Sequence, residues 1–300
     1  MKYIQFKGLF RDVPFWSQLV LFLFLLIFSS LTFLLLGELF LDLFSIENRI
    51  TRLEINQLFS AIGMFIIAPL AISYLFSYHP FQFLSLNRPN IKLVLLALLC
   101  FITSIPFVNY ITVLNESMHF PSFLSGIEDW MRTMEEKNGK LTLDMLSGNN
   151  WYEILLDIIV LALIPAIGEE LLFRGAIQNG LYKLTRNTHW AIWITAFIFS
   201  TIHLQFFGFF PRMIMGALFG YLLIWGGSIW IPIFCHFINN LLVIITSHLY
   251  PGSIEDSYID NIGKENLGEG CISLLLFIAA IYLFYTHAQK ANQSIINSKK

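Results

Sequence analysis

The sequence predicts an all-α fold, a polytopic transmembrane helix bundle of about eight spans. Three observations predict it. Of the 300 residues 56% are hydrophobic and only 13% charged, against about 25% charged in soluble domains. The mean hydropathy is +0.68. The apolar residues, 30 Phe among them, gather in runs of about 20, the length that crosses a bilayer's hydrocarbon core.

The first run, from about Phe15 to Phe44, is too long for the apolar region of a signal peptide and reads as a retained span. Eight spans are expected at about 15–40, 57–78, 91–114, 151–171, 190–207, 211–226, 229–249 and 270–287. The fourth is expected to run on past Arg174 toward Leu184, because only Gly175 and Gly180 interrupt its pattern. The fifth and sixth are short and separated by Gly208-Phe209-Phe210-Pro211. Residues 115–150 place Glu128, Asp129, Glu135 and Glu136 among Trp130, Met131 and Met134, which predicts a solvent-side loop with a short amphipathic helix at the membrane interface. Residues 251–268 are acidic and Gly-rich, a second loop.

The chain therefore divides into N-terminal spans (1–114), a loop with an interfacial helix (115–150), a core (151–249), and an acidic loop with the last span and tail (250–300). Lys and Arg favour one set of loop ends, ten against seven, which puts both termini on the cytoplasmic side. A net charge of −2 with no basic stripe makes nucleic acid an unexpected partner. Cys100, Cys235 and Cys271 show no metal or disulfide spacing and read as buried small hydrophobes.

Against this apolar background a few polar residues stand out. Glu169 and Glu170 lie in the run Ile164 to Arg174, where a carboxylate costs several kcal/mol and is a functional-site hypothesis by default. On a helix Glu170 and Arg174 are i, i+4 neighbours and can pair. Glu169 then points about 100° away. One glutamate would be held by the arginine and the other would face a site, free to act as a general base. The plainer alternative is a structural ion pair locking two helices. His203 follows Phe199-Ser200-Thr201-Ile202, and a lone histidine on an apolar helix is more often structural. His236 and Asn240 share a helical face. Asn is a poor zinc ligand but a good oxyanion donor. Asn239 faces elsewhere. The GxxxG pattern Gly216–Gly220 reads as close packing within one chain more readily than as a dimer contact. Glu153 and Asp157 read as interfacial.

Glu169-Glu170-x-x-x-Arg174, Phe199-x-x-x-His203 and His236-x-x-x-Asn240, in that order and each in an expected span, resemble the three-motif signature of the CAAX protease and bacteriocin-processing (CPBP) family of intramembrane proteases. The resemblance covers about residues 151–249. It implies an endopeptidase that cuts a peptide bond of a membrane-associated protein or peptide. Glu169 would activate water, with Glu170 and Arg174 orienting it. His203 would position the water or an intermediate, and His236 with Asn240 would stabilise the oxyanion. The family's cofactor is open between zinc and none. A zinc site needs three protein ligands and an open position, and Glu169, His203 and His236 would supply them. The expected setting is the bacterial cytoplasmic membrane, with lipid and a membrane-associated substrate as partners.

Two rivals belong to other classes. A non-proteolytic scaffold or bacteriocin self-immunity protein would keep the motif, although it would not need all six groups. An ion-coupled transporter would spread its carboxylates along a path, whereas here they cluster within one turn.

Overall fold

The computed structural model describes residues 6–148, 150–249, 261–264 and 266–298. Among them every regular element is helical. The acidic loop expected at 251–268 lies mostly outside the described residues.

We label the helices in chain order: α1 (Phe15–Leu43), α2 (Arg49–Phe76), α3 (Ile91–Glu116), α4 (Ser125–Met145), α5 (151–185), α6 (Thr188–Ile202), α7 (Phe209–Gly226), α8 (Trp230–Leu249) and α9 (Leu267–Ser298). Among the described residues six stretches are long and apolar enough to cross a membrane: Phe15–Leu43, Arg49–Phe76, Ile91–Glu116, Phe206–Gly226, Trp230–Leu249 and Leu267–Ala291. α5 and α6 stand where the fourth and fifth spans are expected. α6 is apolar but only 15 residues long. α5 runs on to Thr185, as the missing breakers suggest.

Side-chain caps set several starts by accepting otherwise unpaired N–H groups. The Asn48 side chain accepts from Ile50 and Thr51, Asn90 from Lys92, and Asn187 from His189 and Trp190. α7 ends on Gly227 in the left-handed region, at φ 69°, the backbone that glycine adopts most cheaply.

α2 and α5 share a device. Each contains a widened π turn, Ile62–Ile67 in one and Ile158–Leu163 in the other, and each has a proline two residues beyond it, Pro69 and Pro165. Proline has no N–H for the i−4 carbonyl. The ladder slips to i−5 instead: Ala68 N–H donates to the Gly63 carbonyl and Ile164 N–H to that of Ile159. A second π stretch of α5, Glu170–Gln178, carries the glutamate–arginine motif. Such bulges concentrate at functional sites.

Two buried apolar clusters flank this stretch. One joins α3, α7, α8 and α9 around Phe101, Leu222, Ile231 and Phe284. The other joins α1 and α2, through Leu26, Ile72 and Phe76, to Leu172 and Phe173 of α5 and Phe199 of α6. The N-terminal spans are thus packed directly behind the motif. Gly168 makes that approach feasible, since a Cβ there would lie 2.6 Å from the Phe65 Cβ. α1 is peripheral, turning Val20, Phe24, Ile27, Leu31 and Leu35 outward.

Two expectations are corrected. The amphipathic helix in 115–150 is α4, with 21 residues, and not a short one. Met131 and Met145 are its buried residues. Asp157 is fully buried within the protein, and α2 brings Glu54 against it. Cys271 is exposed on the outer face of α9, whereas Cys100 and Cys235 are buried.

Candidate active site

The six expected site residues come from three helices. Glu169, Glu170 and Arg174 belong to α5. His203 caps the C-terminus of α6, and His236 and Asn240 belong to α8. Five of the six converge. Arg174 Nη1 lies 2.9 Å from Glu170 Oε1, with both side chains fully buried. His236 Nδ1 lies 2.9 Å from the same oxygen. Its Nε2 lies 3.8 Å from Glu169 Oε2, and His203 Nε2 lies 4.0 Å from that atom. The expected division therefore holds in space: Glu170 is engaged by the arginine, and Glu169 stands between the two imidazoles.

The arginine has contacts beyond the ion pair. Its Nη2 donates to the Gly216 carbonyl at 3.0 Å. Its guanidinium carbon lies 4.7 Å from the Phe199 ring centre and 5.5 Å from that of Phe219, distances at which a cation is drawn to an aromatic face. Gln178, one turn on, donates to the Gly220 carbonyl at 3.5 Å. Gly216 and Gly220 thus turn the GxxxG face onto α6 and the α5 polar ladder of their own chain. A Cβ on Gly220 would fall 2.7 Å from Gln178 Oε1 and 2.9 Å from Ile192.

Hydrogen bonding sets the two tautomers. His203 Nδ1 meets the Phe199 carbonyl at 2.6 Å. A carbonyl only accepts, so Nδ1 carries the proton and Nε2 is left as a lone pair. His236 Nδ1 faces the Glu170 carboxylate and likewise donates, which frees its Nε2. Both lone pairs aim at Glu169. Distances of 3.8 and 4.0 Å exceed a direct hydrogen bond and are of the size that one water spans.

The site is sealed on one side and open on the other. Glu170 and Arg174 have no exposure, whereas the side chain of Glu169 is 14% exposed and that of His203 is 27% exposed. The open side carries residues that sequence reasoning did not place there. Arg212, at the start of α7, lies within electrostatic reach of both Glu169 and His203. Its presence in an apolar span was the available signal. Leu204, directly after His203, sits at φ 52°, a backbone that costs an ordinary side chain about 1–2 kcal/mol. α4 clamps this turn: Glu135 accepts from the Phe207 N–H at 3.1 Å, and the Arg132 guanidinium lies 4.3 Å from the Phe207 ring centre. Asn240 stands apart from the ion pairs. The Asn239 amide donates to its Oδ1 at 3.2 Å.

Residues 151–242 match the family described as Type II CAAX prenyl endopeptidase Rce1-like. The stretch holds all six residues. Over this stretch the chain is similar to that family.

Two relatives from Bacillus subtilis (strain 168) match part of the chain. One, named "Putative membrane peptidase YdiL", is 32% identical over 111 residues, which is 37% of this chain and 43% of the relative. The other, "Uncharacterized protein YpbD", is 33% identical over 85 residues, 27% of this chain and 40% of that one. The chain thus spans less than half the length of either relative. No solved structure matches.

The zinc set that the CPBP resemblance implies can be tested against the geometry. Zinc holds its ligands at about 2.0–2.2 Å in a tetrahedron, so its ligand atoms lie roughly 3.5 Å apart or less. The Glu169 oxygen lies farther than that from both imidazoles. Among the described residues no three His, Cys, Asp or Glu side chains form a group that could hold a metal ion. The arrangement does not fit zinc, and no step below passes through a metal.

Proposed function

We propose that this protein is an intramembrane endopeptidase of the CPBP kind that hydrolyses a peptide bond of a membrane-associated protein or peptide. The observation that carries the reading is the placement of Glu169, partly exposed, between two imidazole lone pairs, with Glu170 locked behind it by Arg174. The family match and the peptidase name of one relative point the same way.

The steps follow from the donors and acceptors. A water that donates to Glu169 and to the Nε2 lone pair of His203 gives its first proton to the Glu169 carboxylate. Its oxygen attacks the substrate's carbonyl carbon. The carbonyl oxygen gains negative charge and takes a hydrogen bond from the Asn240 amide. The C–N bond then breaks as Glu169 returns its proton to the leaving nitrogen. Glu170 stays ionised throughout and fixes the His236 tautomer, while Arg174 balances its charge. The fixed donors and the base supply most of the expected acceleration.

The test is purification in detergent, cleavage of a peptide library, and metal content on the same sample. The reading expects cleavage that survives prolonged chelation and disappears in Glu169→Ala. Stoichiometric zinc, with activity lost on chelation and restored by zinc, would overturn the metal-free mechanism. A folded protein that cleaves nothing would favour the scaffold or immunity alternative.

A further inference from the structure

We propose that Arg212 is a specificity residue that binds a carboxylate on the leaving side of the substrate. The inference rests on the proteolytic reading above. A cation on the open side of the site needs a counter-ion, and among the described residues Arg212 has none in contact. Both of its hydrogen bonds go to one neutral residue: Nη1 to the Gln205 carbonyl at 3.2 Å and Nη2 to Gln205 Oε1 at 2.5 Å. Two carboxylates lie within its electrostatic reach, Glu135 and Glu169. Glu135 is committed to the Phe207 N–H. Glu169 is the base, flanked by the histidines. The other cation of the site, Arg174, is fully buried beside Glu170 and beyond the reach of a ligand.

Arg212 is also aimed. Gln205 grips it from the turn that follows His203, and its Nη2 lies against Gly208, where an added Cβ would come within 3.1 Å. A partly buried guanidinium fixed in this way loses little freedom when it binds an anion, and its planar fork suits a carboxylate. It acts electrostatically on Glu169 and His203, the two partly exposed groups of the site, which a substrate must approach. The ligand chemistry is a carboxylate, from either the peptide's own C-terminus or an Asp or Glu side chain beyond the scissile bond.

The experiment uses the full chain in detergent and a peptide that it cleaves in the library assay. The peptide is made with a C-terminal carboxylate, with a C-terminal amide, and as the amide with Asp or Asn at a leaving-side position. One charge-assisted hydrogen bond corresponds to about tenfold or more in affinity. The wild type should therefore favour one acidic peptide over its neutral partner by at least about tenfold in kcat/KM, mainly through KM. The acid responsible names the source. Arg212→Gln should collapse the ratio toward one, and Arg212→Lys should restore part of it. Thermal melting establishes that both variants are folded. Equal cleavage of acidic and neutral peptides by the wild type would overturn the proposal and leave the proteolytic reading standing. An equal loss on all peptides in Arg212→Gln would also overturn it, by making Arg212 a counter-charge for Glu169. No cleavage of any peptide by the folded wild type would overturn both readings.

Discussion

Glu170 and Asp157 are carboxylates on the same helix, α5, and neither has any exposure. Their surroundings differ. Glu170 has Arg174 at 2.9 Å and His236 at 2.9 Å. Asp157 has no hydrogen-bond partner for either oxygen among the described residues. Its electrostatic neighbours are Glu54, Glu153 and His248. Glu54 and Asp157 are close enough to bond, but two ionised carboxylates have no donor between them, and the bond closes only when one carries a proton. Burial alone therefore does not mark a site. The set of partners does: at Glu170 the charge is kept and used to fix an imidazole, and at Asp157 the natural remedy is neutralisation.

The largest expected effect breaks the Glu170 side. Glu170→Ala leaves Arg174 buried without a counter-charge, which costs about 3–5 kcal/mol. Thermal melting in detergent should show a large loss, and activity should go with it. An unchanged melt would mean that the ion pair does not hold the site. Asn240→Ala comes next. An oxyanion donor is worth about 10²–10³ in kcat, so kcat should fall by that amount at nearly constant KM, with folding intact. A change in KM alone would reassign Asn240 to substrate binding.

Asp157→Asn sharpens the comparison from the other side. The amide supplies the donor that two carboxylates lack, so stability should change by less than about 1 kcal/mol or rise. A loss as large as that of Glu170→Ala would show that Asp157 needs its charge and that the contrast is false. The smallest effect lies outside the spans, at the start of α4. Glu128 accepts from Arg132, from the Phe120 N–H and from His119, in that order of influence, and these donors hold its carboxyl down to about 2 from an ordinary value near 4.5. A depressed carboxyl adds stability above its ordinary value and loses it as the pH falls through the window from 4.5 to about 2. In that window the wild-type melting temperature should fall more than that of Glu128→Gln. Parallel curves would show that this anchor contributes nothing.

What the sequence made legible follows the same division. Glu170 with Arg174, and His236 with Asn240, are spaced i, i+4, so helical periodicity alone puts each pair on one face. Recognising the three spaced motifs then brings the groups together. Arg212 was not legible as part of the site. Its position depends on the turn from His203 to Gly208 folding back against α7, which is a tertiary event without a local pattern. Gln178 and Gly220 are equally far apart in the chain, and only the packing of α7 on α5 joins them. The burial of Asp157 was not legible for the same reason, because Glu54 arrives from α2. The apolar runs predicted helices well. The start of α2 was set eight residues too late, since Arg49, Arg52 and Glu54 look like loop until Arg52 is seen to pair with Glu38 at 2.7 Å and Glu54 to be buried.

The central claim is that Glu169 is the base and that its neighbours exist to position it. The most direct measurement is the cleavage rate of purified Glu169→Gln on a wild-type substrate, with melting temperature taken on the same sample. The amide keeps the shape and removes the proton acceptor. A melting temperature near wild type, with a rate lowered by about 10²–10⁴, is the predicted result. A folded Glu169→Gln that cleaves at the wild-type rate would contradict it.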